Sequence, residues 1–201
     1  MIEQPITTPA NRRFPWYVRI FFWNQKRKYG AILEPARLWG RTPRVFAGLA
    51  LLYGALDRKS SPIEPPLRTL ITVRVSQINW CSFCVDINSA TAVKRHVGEE
   101  KLADLAQFEE SEHYSDREKA ALAYTEVVTY TDRDTTQQHF DRLRKHFDDE
   151  AIIELTALIA FQNLSSKFNA SLAVAPQGFC NIAPQPSVKK SRQETTKAGM
   201  T

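Results

Sequence analysis

The distribution of proline constrains the fold of this chain more than any other feature of its sequence. The chain has 201 residues and 11 prolines, and none of the prolines lies between Leu67 and Ala175. Proline lacks a backbone donor and clashes with the preceding turn, so helix interiors exclude it. A proline-free stretch of this length predicts a series of long helices.

Apolar spacing within this stretch supports the prediction. From Leu67 to Ile78, apolar residues recur at intervals of three and four, as they do on one face of a helix. The alternation of Ile71, Val73 and Val75 is also compatible with a strand. The length of the segment and the lack of a Gly or Asn-Gly turn favour the helix.

Three more helices are predicted further along the chain. Asp116 begins the first, Thr135-Thr136 can cap the second, and the acidic run at 148–150 suits the start of the third because the helix dipole favours negative charge there. This last helix runs through residues 152–174, and its centre is apolar on nearly all sides, which is typical of a central buried helix. We therefore predict an all-α fold.

Charge divides the chain into three segments. Residues 1–30 hold six basic side chains and one acid, residues 176–201 hold four and one, and the stretch between them is slightly acidic. We predict a basic, aromatic arm at 1–30 that packs on its own domain or on a neighbouring subunit, a helical domain at 31–175, and a polar, disordered tail at 176–201. A nucleic-acid-binding face is normally spread over folded surface. We therefore expect no nucleic-acid partner.

The sequence also bears on the compartment. No apolar run is long enough to span a membrane. The apolar run Val18–Trp23 is too short for a secretory signal and precedes a basic run. Three cysteines, an odd number, do not form a disulfide scaffold. We expect a cytoplasmic protein without a membrane partner.

The segment Trp80-Cys81-Ser82-Phe83-Cys84 contains the most reactive side chains of the sequence. Two cysteines three positions apart can form a disulfide, and the free N–H groups at a helix start stabilise a thiolate. We expect one helix to end and another to begin at this motif, with Cys81 exposed and Cys84 in the first turn. Two alternatives to a redox dithiol remain. One is zinc ligation, which would have to recruit two more ligands from Cys180 and the four histidines, and the other is an inert buried pair.

A family resemblance makes the redox interpretation more specific. Residues 67–86, read LRTLITVRVSQINWCSFCVD, resemble the core of the carboxymuconolactone decarboxylase superfamily, and within it the CxxC-bearing AhpD-like alkylhydroperoxidases. Stretches at 120–124 and 154–160, with Asn163 and Phe168-Asn169, resemble the same family. The resemblance implies an all-α fold that assembles into trimers or hexamers. It also implies thiol-based reduction of hydroperoxides, without a cofactor or a metal.

The resemblance also assigns roles to residues. It implies that Cys84 is the nucleophile, that Cys81 resolves the resulting sulfenic acid, and that an external dithiol protein resets the pair. The positions of the family's Glu-His-His proton relay hold Thr69, Phe83 and Asn88, and none of these is a general base near neutral pH.

Two residues are candidates to replace parts of this relay. Asn88 follows Cys84 by one helical turn, so it can hydrogen-bond the sulfur or a water. Glu154, on the apolar last helix, is our candidate base, with a capping or subunit-boundary role as the alternative. Glu34, Glu64 and Glu126 are the other acids near apolar runs.

Three hypotheses about function follow from the sequence. The first is a thiol-dependent hydroperoxide reductase or disulfide oxidoreductase that uses Cys81 and Cys84. The second is a non-catalytic, oligomeric or redox-sensing protein with a structural dithiol, which the altered relay favours. The third is a lactone decarboxylase, although that branch of the superfamily lacks the CxxC pair.

Overall fold

A computed structural model describes residues 4–180, and the regular secondary structure within this range is helical throughout. The prediction of an all-α fold is therefore confirmed. The helices are α1 (Trp16–Tyr29), α2 (Glu34–Gly40), α3 (Pro43–Leu56), α4 (Pro65–Ile78), α5 (Ser82–Lys94), α6 (Glu99–Asp104), α7 (Asp116–Thr129), α8 (Gln137–Arg144) and α9 (Asp149–Ser171), with a 3₁₀ turn at Leu105–Gln107.

Local capping explains where the long helices begin. Ser115 and Glu118 form a capping box at the start of α7, and Asp148 caps α9 by accepting a hydrogen bond from the backbone of Ala151. Thr136 is the N-cap residue of α8. These starts agree with the predicted ones, because capping depends on short-range chemistry that the sequence displays directly.

The central helix is α4. Ten of its fourteen residues are buried, and it packs against α5, α7 and α9. The prediction placed α9 at the centre, and this is wrong. One side of α9 is buried, while an apolar stripe formed by Ile153, Ala157, Ala160 and Leu164 is exposed. The apolar residues on all sides of α9 therefore reflect an exposed apolar surface on this helix. They do not make α9 the innermost helix.

The N-terminal segment packs on its own domain. Val18 and Phe22 of α1 are buried in the same apolar cluster as Phe46 of α3 and both Cys81 and Cys84. The residues predicted as an arm at 1–30 thus include a helix that belongs to the helical domain. Within residues 4–180, none of the helices is both long enough and apolar enough to cross a membrane.

Candidate functional site

The turn between α4 and α5 places the two cysteines. Trp80 has a φ of 56°, in the left-handed region that bulky side chains rarely adopt. The N–H of Cys81 then donates to the carbonyl of Ser76 at 3.0 Å, closing the end of α4. Cys81 becomes the N-cap residue of α5. As predicted, one helix ends and the next begins at the motif.

Cys81 and Cys84 are joined by a disulfide at the first turn of α5, with their Cα atoms 5.2 Å apart. The backbone N–H of Cys84 also donates to the sulfur of Cys81 at 3.2 Å. The exposed fractions of the two residues are 1% and 2%. The expectation that Cys81 would be exposed is therefore wrong, and a substrate must reach the pair through an internal space.

That space is a cavity of about 270 Å³ bounded by α1, α2, α3, α4, α5 and α9. Among the described residues, Cys84 lines this cavity and Cys81 does not. Seven aromatic rings contribute to the wall: Phe21, Tyr29, Trp39, Phe46, Tyr53, Phe83 and Phe161. Two of these rings belong to α1, so a segment predicted to lie outside the domain helps to enclose the site.

Asn169 of α9 contacts the sulfur directly. Its side-chain N–H donates to the Sγ of Cys84 at 3.2 Å, and the residue is buried. Its side-chain oxygen has no hydrogen-bond partner among the described residues. A buried acceptor without a partner is costly, and such atoms are often completed by a ligand or water. Asn169 is not among the site residues that the sequence predicts, although the Phe168-Asn169 pair is part of the family resemblance.

The three altered relay positions all border the cavity. Thr69 accepts a hydrogen bond from Arg95 at 3.1 Å, and Phe83 forms part of the aromatic wall. Asn88 donates to the hydroxyl of Ser76 at 3.3 Å, so its amide contacts α4 in the oxidised protein. Cys84, Asn88 and Asn169 are thus brought together around one cavity. None of the three altered positions supplies a group that titrates near neutral pH.

Glu154, the candidate base, is not part of this arrangement. Its carboxylate accepts hydrogen bonds from Arg58 at 2.6 Å and from Ser61 at 2.5 Å. Burial raises the pKa of Glu154, but these hydrogen bonds outweigh it and hold the pKa below its ordinary value. Glu154 also precedes Asn169 by 15 positions on α9, about 22 Å of helix rise. We therefore correct the assignment and leave Glu154 out of the site.

The other three acids near apolar runs are also engaged away from the sulfur. Glu126 is paired with Arg74, Glu64 with Arg117, and Glu34 with Gln4. Within the described part of the chain, no group of three or more His, Cys, Asp or Glu side chains is arranged to hold a metal ion.

The far end of the cavity carries charge. Arg95, the C-cap residue of α5, binds both carboxylate oxygens of Asp57 at 2.7 and 2.9 Å. Arg68 of α4 approaches the same carboxylate at 3.4 Å. Burial, followed by the charge of Asp57, raises the pKa of the nearby Tyr53 phenol to about 12, so this phenol stays protonated at neutral pH. Asp57, Arg68, Arg95 and Tyr53 all line the cavity.

Asp86 ties the chain beyond α9 to α5. It is buried, and its carboxylate accepts three backbone hydrogen bonds of 2.8 Å, from Gln177, Gly178 and Cys180. The packed chain therefore continues to residue 180, past the boundary at 176 that the sequence predicts. The remainder of the predicted tail, 181–201, lies outside the described residues.

Comparison with known proteins defines the class. The chain belongs to the carboxymuconolactone decarboxylase family, whose model matches residues 43–127. It is 39% identical over 174 residues to the uncharacterized protein YnjA of Escherichia coli strain K12, an alignment that covers 87% of this chain and 96% of YnjA.

Two solved structures share the fold. The debrominase Bmp8 superposes with a TM-score of 0.76 at 23% identity, covering 87% of this chain and 94% of Bmp8. The alkylhydroperoxidase AhpD core of a peroxidase-related protein from Ralstonia eutropha JMP134 superposes with a TM-score of 0.73 at 22% identity, covering 88% of this chain and 96% of that one. The family resemblance stated from the sequence is confirmed.

Proposed function

We propose that this protein is a thiol-dependent reductase of small organic hydroperoxides, with Cys84 as the nucleophile and Cys81 as the resolving cysteine. The observation that carries the proposal is the position of Cys84, whose sulfur borders a largely apolar cavity while its disulfide partner lies at the helix cap. A cavity of about 150 Å³ holds benzene. A space of about 270 Å³ therefore suits a substituted aromatic or a compact aliphatic hydroperoxide.

The reaction balances with the two cysteines alone. The thiolate of Cys84 attacks the terminal peroxide oxygen, the O–O bond breaks, and the alkoxide takes a proton to leave as an alcohol. Cys81 then attacks the sulfenic acid of Cys84, which forms the disulfide and releases water. The hydroperoxide gains two electrons and the cysteine pair loses two. An external dithiol protein returns them by thiol–disulfide exchange.

Asn169 has two functions in this scheme. Its N–H stabilises the thiolate of Cys84, because a hydrogen bond to a charged group favours the charged form. Its unpartnered oxygen accepts the O–H of the hydroperoxide and so orients the peroxide towards the sulfur. General acid–base catalysis typically contributes about 10²–10⁴-fold. Without an ionisable relay beside Cys84, we expect slower turnover than an enzyme that retains one.

The test is the consumption of cumene hydroperoxide with dithiothreitol as reductant. Cys84→Ser should abolish turnover, whereas Cys180→Ser, a matched control outside the pair, should keep it. If Cys84→Ser consumed the hydroperoxide as fast as the wild-type protein, the proposal would fall. A structural dithiol, the non-catalytic alternative, predicts no consumption by any of the three proteins.

A second candidate is reductive dehalogenation, in which an aryl bromide and the two thiols give the arene, the disulfide and hydrogen bromide. The seven aromatic rings of the cavity favour it, because they suit a planar aromatic substrate. A cysteine-to-alanine variant of Bmp8 has also been solved in complex with 2,3,4-tribromopyrrole. Release of bromide from a brominated pyrrole by the reduced protein, with loss of two thiols, would favour this candidate over peroxide reduction.

We further propose that the protein is a homo-oligomer that works in the reducing cytoplasm, where its disulfide can be recycled. Exposed apolar side chains on three helices support self-association: Trp16, Ile20 and Trp23 on α1, Leu51 and Leu52 on α3, and Ile153 and Leu164 on α9. Patches of this kind usually mark interaction surfaces.

A further inference from the structure

The positive and negative charges of the side chains that line the cavity are unequal in number. Lys28, Arg68 and Arg95 are cationic, whereas Asp57 is the one carboxylate among the described residues that line this space. Arg95 already uses both oxygens of Asp57, and Arg68 reaches only one of them, at 3.4 Å. Among the lining residues, one carboxylate thus serves two guanidinium groups. The charge of Glu154, which is paired with Arg58, also acts on Arg68, but the lining itself keeps an excess of positive charge.

Arg68 is the member of this group that most needs a partner. The residue is 4% exposed, one guanidinium nitrogen donates to the backbone carbonyl of Arg58, and its Nε–H has no partner among the described residues. A buried cation with an unsatisfied donor is costly unless a negative group completes its hydrogen bonds. Arginine is also the side chain best suited to hold a carboxylate.

The charged end lies away from the reactive sulfur. Cys84 is in the first turn of α5 and Arg95 caps its last turn, 11 residues later, which corresponds to about 16 Å of helix rise. Between these two positions, α5 contributes Ile87, Asn88 and Thr91 to the lining, and aromatic rings from other helices face the same cavity. A ligand that reaches both ends must therefore be an elongated organic molecule, and hydrogen peroxide is too small to do so.

We propose that the cavity takes an anionic substrate, namely an aromatic hydroperoxide whose carboxylate binds Arg68 and Arg95 while its peroxide group faces Cys84. This inference rests on the proposed function and adds the substrate class to it. Arg68 and Arg95 are then specificity-determining residues. Tyr53, whose phenol stays protonated, offers a further donor at the same end.

The first experiment compares cumene hydroperoxide with its para-carboxylate derivative, in which the two groups lie at opposite ends of one ring. The wild-type protein should reduce the para-carboxylate hydroperoxide with a kcat/KM about tenfold or more above that for cumene hydroperoxide. A hydrogen bond to a charged group contributes binding free energy at this level. Equal kcat/KM values would overturn the inference and leave the proposed function standing.

Variants then assign the preference to residues. Arg68→Met and Arg95→Met should reduce the ratio of the two kcat/KM values towards one, through the KM of the carboxylate. Arg68→Lys should retain part of the ratio. Arg142→Met is the matched control, because Arg142 forms a surface pair with Glu109 away from the cavity, and it should keep the wild-type ratio. A ratio unchanged in both methionine variants would contradict the assignment.

A binding measurement separates this inference from the peroxidase proposal. Titration calorimetry on the oxidised wild-type protein would compare para-isopropylbenzoate with its neutral amide, para-isopropylbenzamide. The benzoate should bind about tenfold more tightly or better. Equal affinity, or binding of neither compound, would overturn the anion site. This binding measurement needs neither turnover nor a variant. It therefore tests the anion site even if the protein reduces no hydroperoxide or Arg68→Met does not fold.

Discussion

At the scale of single residues, the chemistry of this protein depends on what surrounds one sulfur atom. Cys84 has a side-chain amide donor at 3.2 Å and aromatic rings around it, and it lies in the first turn of α5. The amide donor favours a thiolate, whereas burial among apolar rings opposes it. No titratable side chain of the described chain stands beside the sulfur to move a proton. The site is therefore equipped for nucleophilic attack more than for acid–base catalysis.

The contact between Asn169 and Cys84 leads to the first prediction. Asn169→Ala should slow the alkylation of reduced Cys84 by iodoacetamide at pH 7 by about tenfold, because the thiolate loses a charge-assisted hydrogen bond. The pH at which the alkylation rate reaches half its maximum should also rise. Peptide mapping by mass spectrometry would follow Cys84 specifically.

Asn88→Ala is the matched comparison for that variant. Asn88 borders the same cavity, but its amide donates to Ser76 and not to the sulfur. The alkylation rate of Cys84 should fall less in Asn88→Ala than in Asn169→Ala. If Asn169→Ala reacted at the wild-type rate, or Asn88→Ala had the larger effect, the role given to Asn169 would be wrong.

The sequence predicts the local part of this site and misses the long-range part. Cys81, Cys84 and Asn88 lie within one or two turns, so their spacing is sufficient to group them. Asn169 reaches Cys84 across 85 positions of the chain. Arg68 and Arg95 meet at Asp57 only because α4 and α5 pack together. The prediction of Glu154 as the base is wrong for the same reason. Its position on an apolar helix does not reveal that its carboxylate binds Arg58 and Ser61.

At the scale of helices, the ends were predicted better than the packing. Caps and acidic first turns depend on the nearest three or four residues, and the starts of α7, α8 and α9 follow them. The choice of the central helix depends on side-chain volumes and on the apolar faces of all the other helices. Apolar composition therefore suggested α9, whereas α4, with polar residues such as Arg68 and Arg74 buried in its sides, occupies the centre.

The capping box of α7 leads to the second prediction. The carboxylate of Glu118 accepts hydrogen bonds from Lys101 at 2.6 and 2.8 Å and from the backbone N–H of Ser115 at 2.9 Å. Burial raises the pKa of Glu118, but these contacts outweigh it and lower the pKa overall. Glutamine can keep the capping box at this position, but it loses the ion pair with Lys101. Glu118→Gln should therefore reduce the free energy of unfolding at pH 7 by up to about 1 kcal/mol.

The sign of the pH dependence follows from this lowered pKa. A carboxyl whose pKa is lower in the folded state contributes its full stability above its ordinary pKa of 4.5 and loses it as the pH falls through the folded value. The difference between the wild-type protein and Glu118→Gln in urea unfolding should therefore shrink in acid. Glu150→Gln, an exposed acid in the first turn of α9, should show a smaller difference at pH 7. A difference for Glu118→Gln that stayed constant into acid would contradict the account.

At the scale of the whole molecule, both ends of the folded chain belong to the domain. α1 closes one side of the cavity, and residues 177–180 are held on α5 by Asp86. The sequence predicts a packed arm at 1–30 and a disordered tail from 176, but charge counts do not show which aromatic residues of the arm are buried or where the packed chain ends. Among the described residues, α1, α3 and α9 also carry large apolar side chains that are exposed.

The third prediction concerns these exposed residues. Leu51 is 76% exposed on α3, and Leu51→Glu would place a charge within the proposed subunit contact. Light scattering after gel filtration should give the wild-type protein a mass that is a multiple of 23.0 kDa. The Leu51→Glu protein should shift towards a single chain. Lys145→Glu, an exposed position on a polar surface, is the control and should keep the wild-type mass. A monomeric wild-type protein would contradict the proposed assembly.

The most direct test of the central claim traps the intermediate on Cys84. In Cys81→Ser the resolving thiol is gone, so one equivalent of cumene hydroperoxide should leave a sulfenic acid that dimedone captures. Mass spectrometry of the digested protein should find the dimedone adduct on Cys84 of this variant, and Cys84→Ser should carry none on Cys81. An adduct on Cys81 of Cys84→Ser, with Cys84 of Cys81→Ser unmodified, would contradict the assignment of Cys84 as the peroxide-reactive nucleophile.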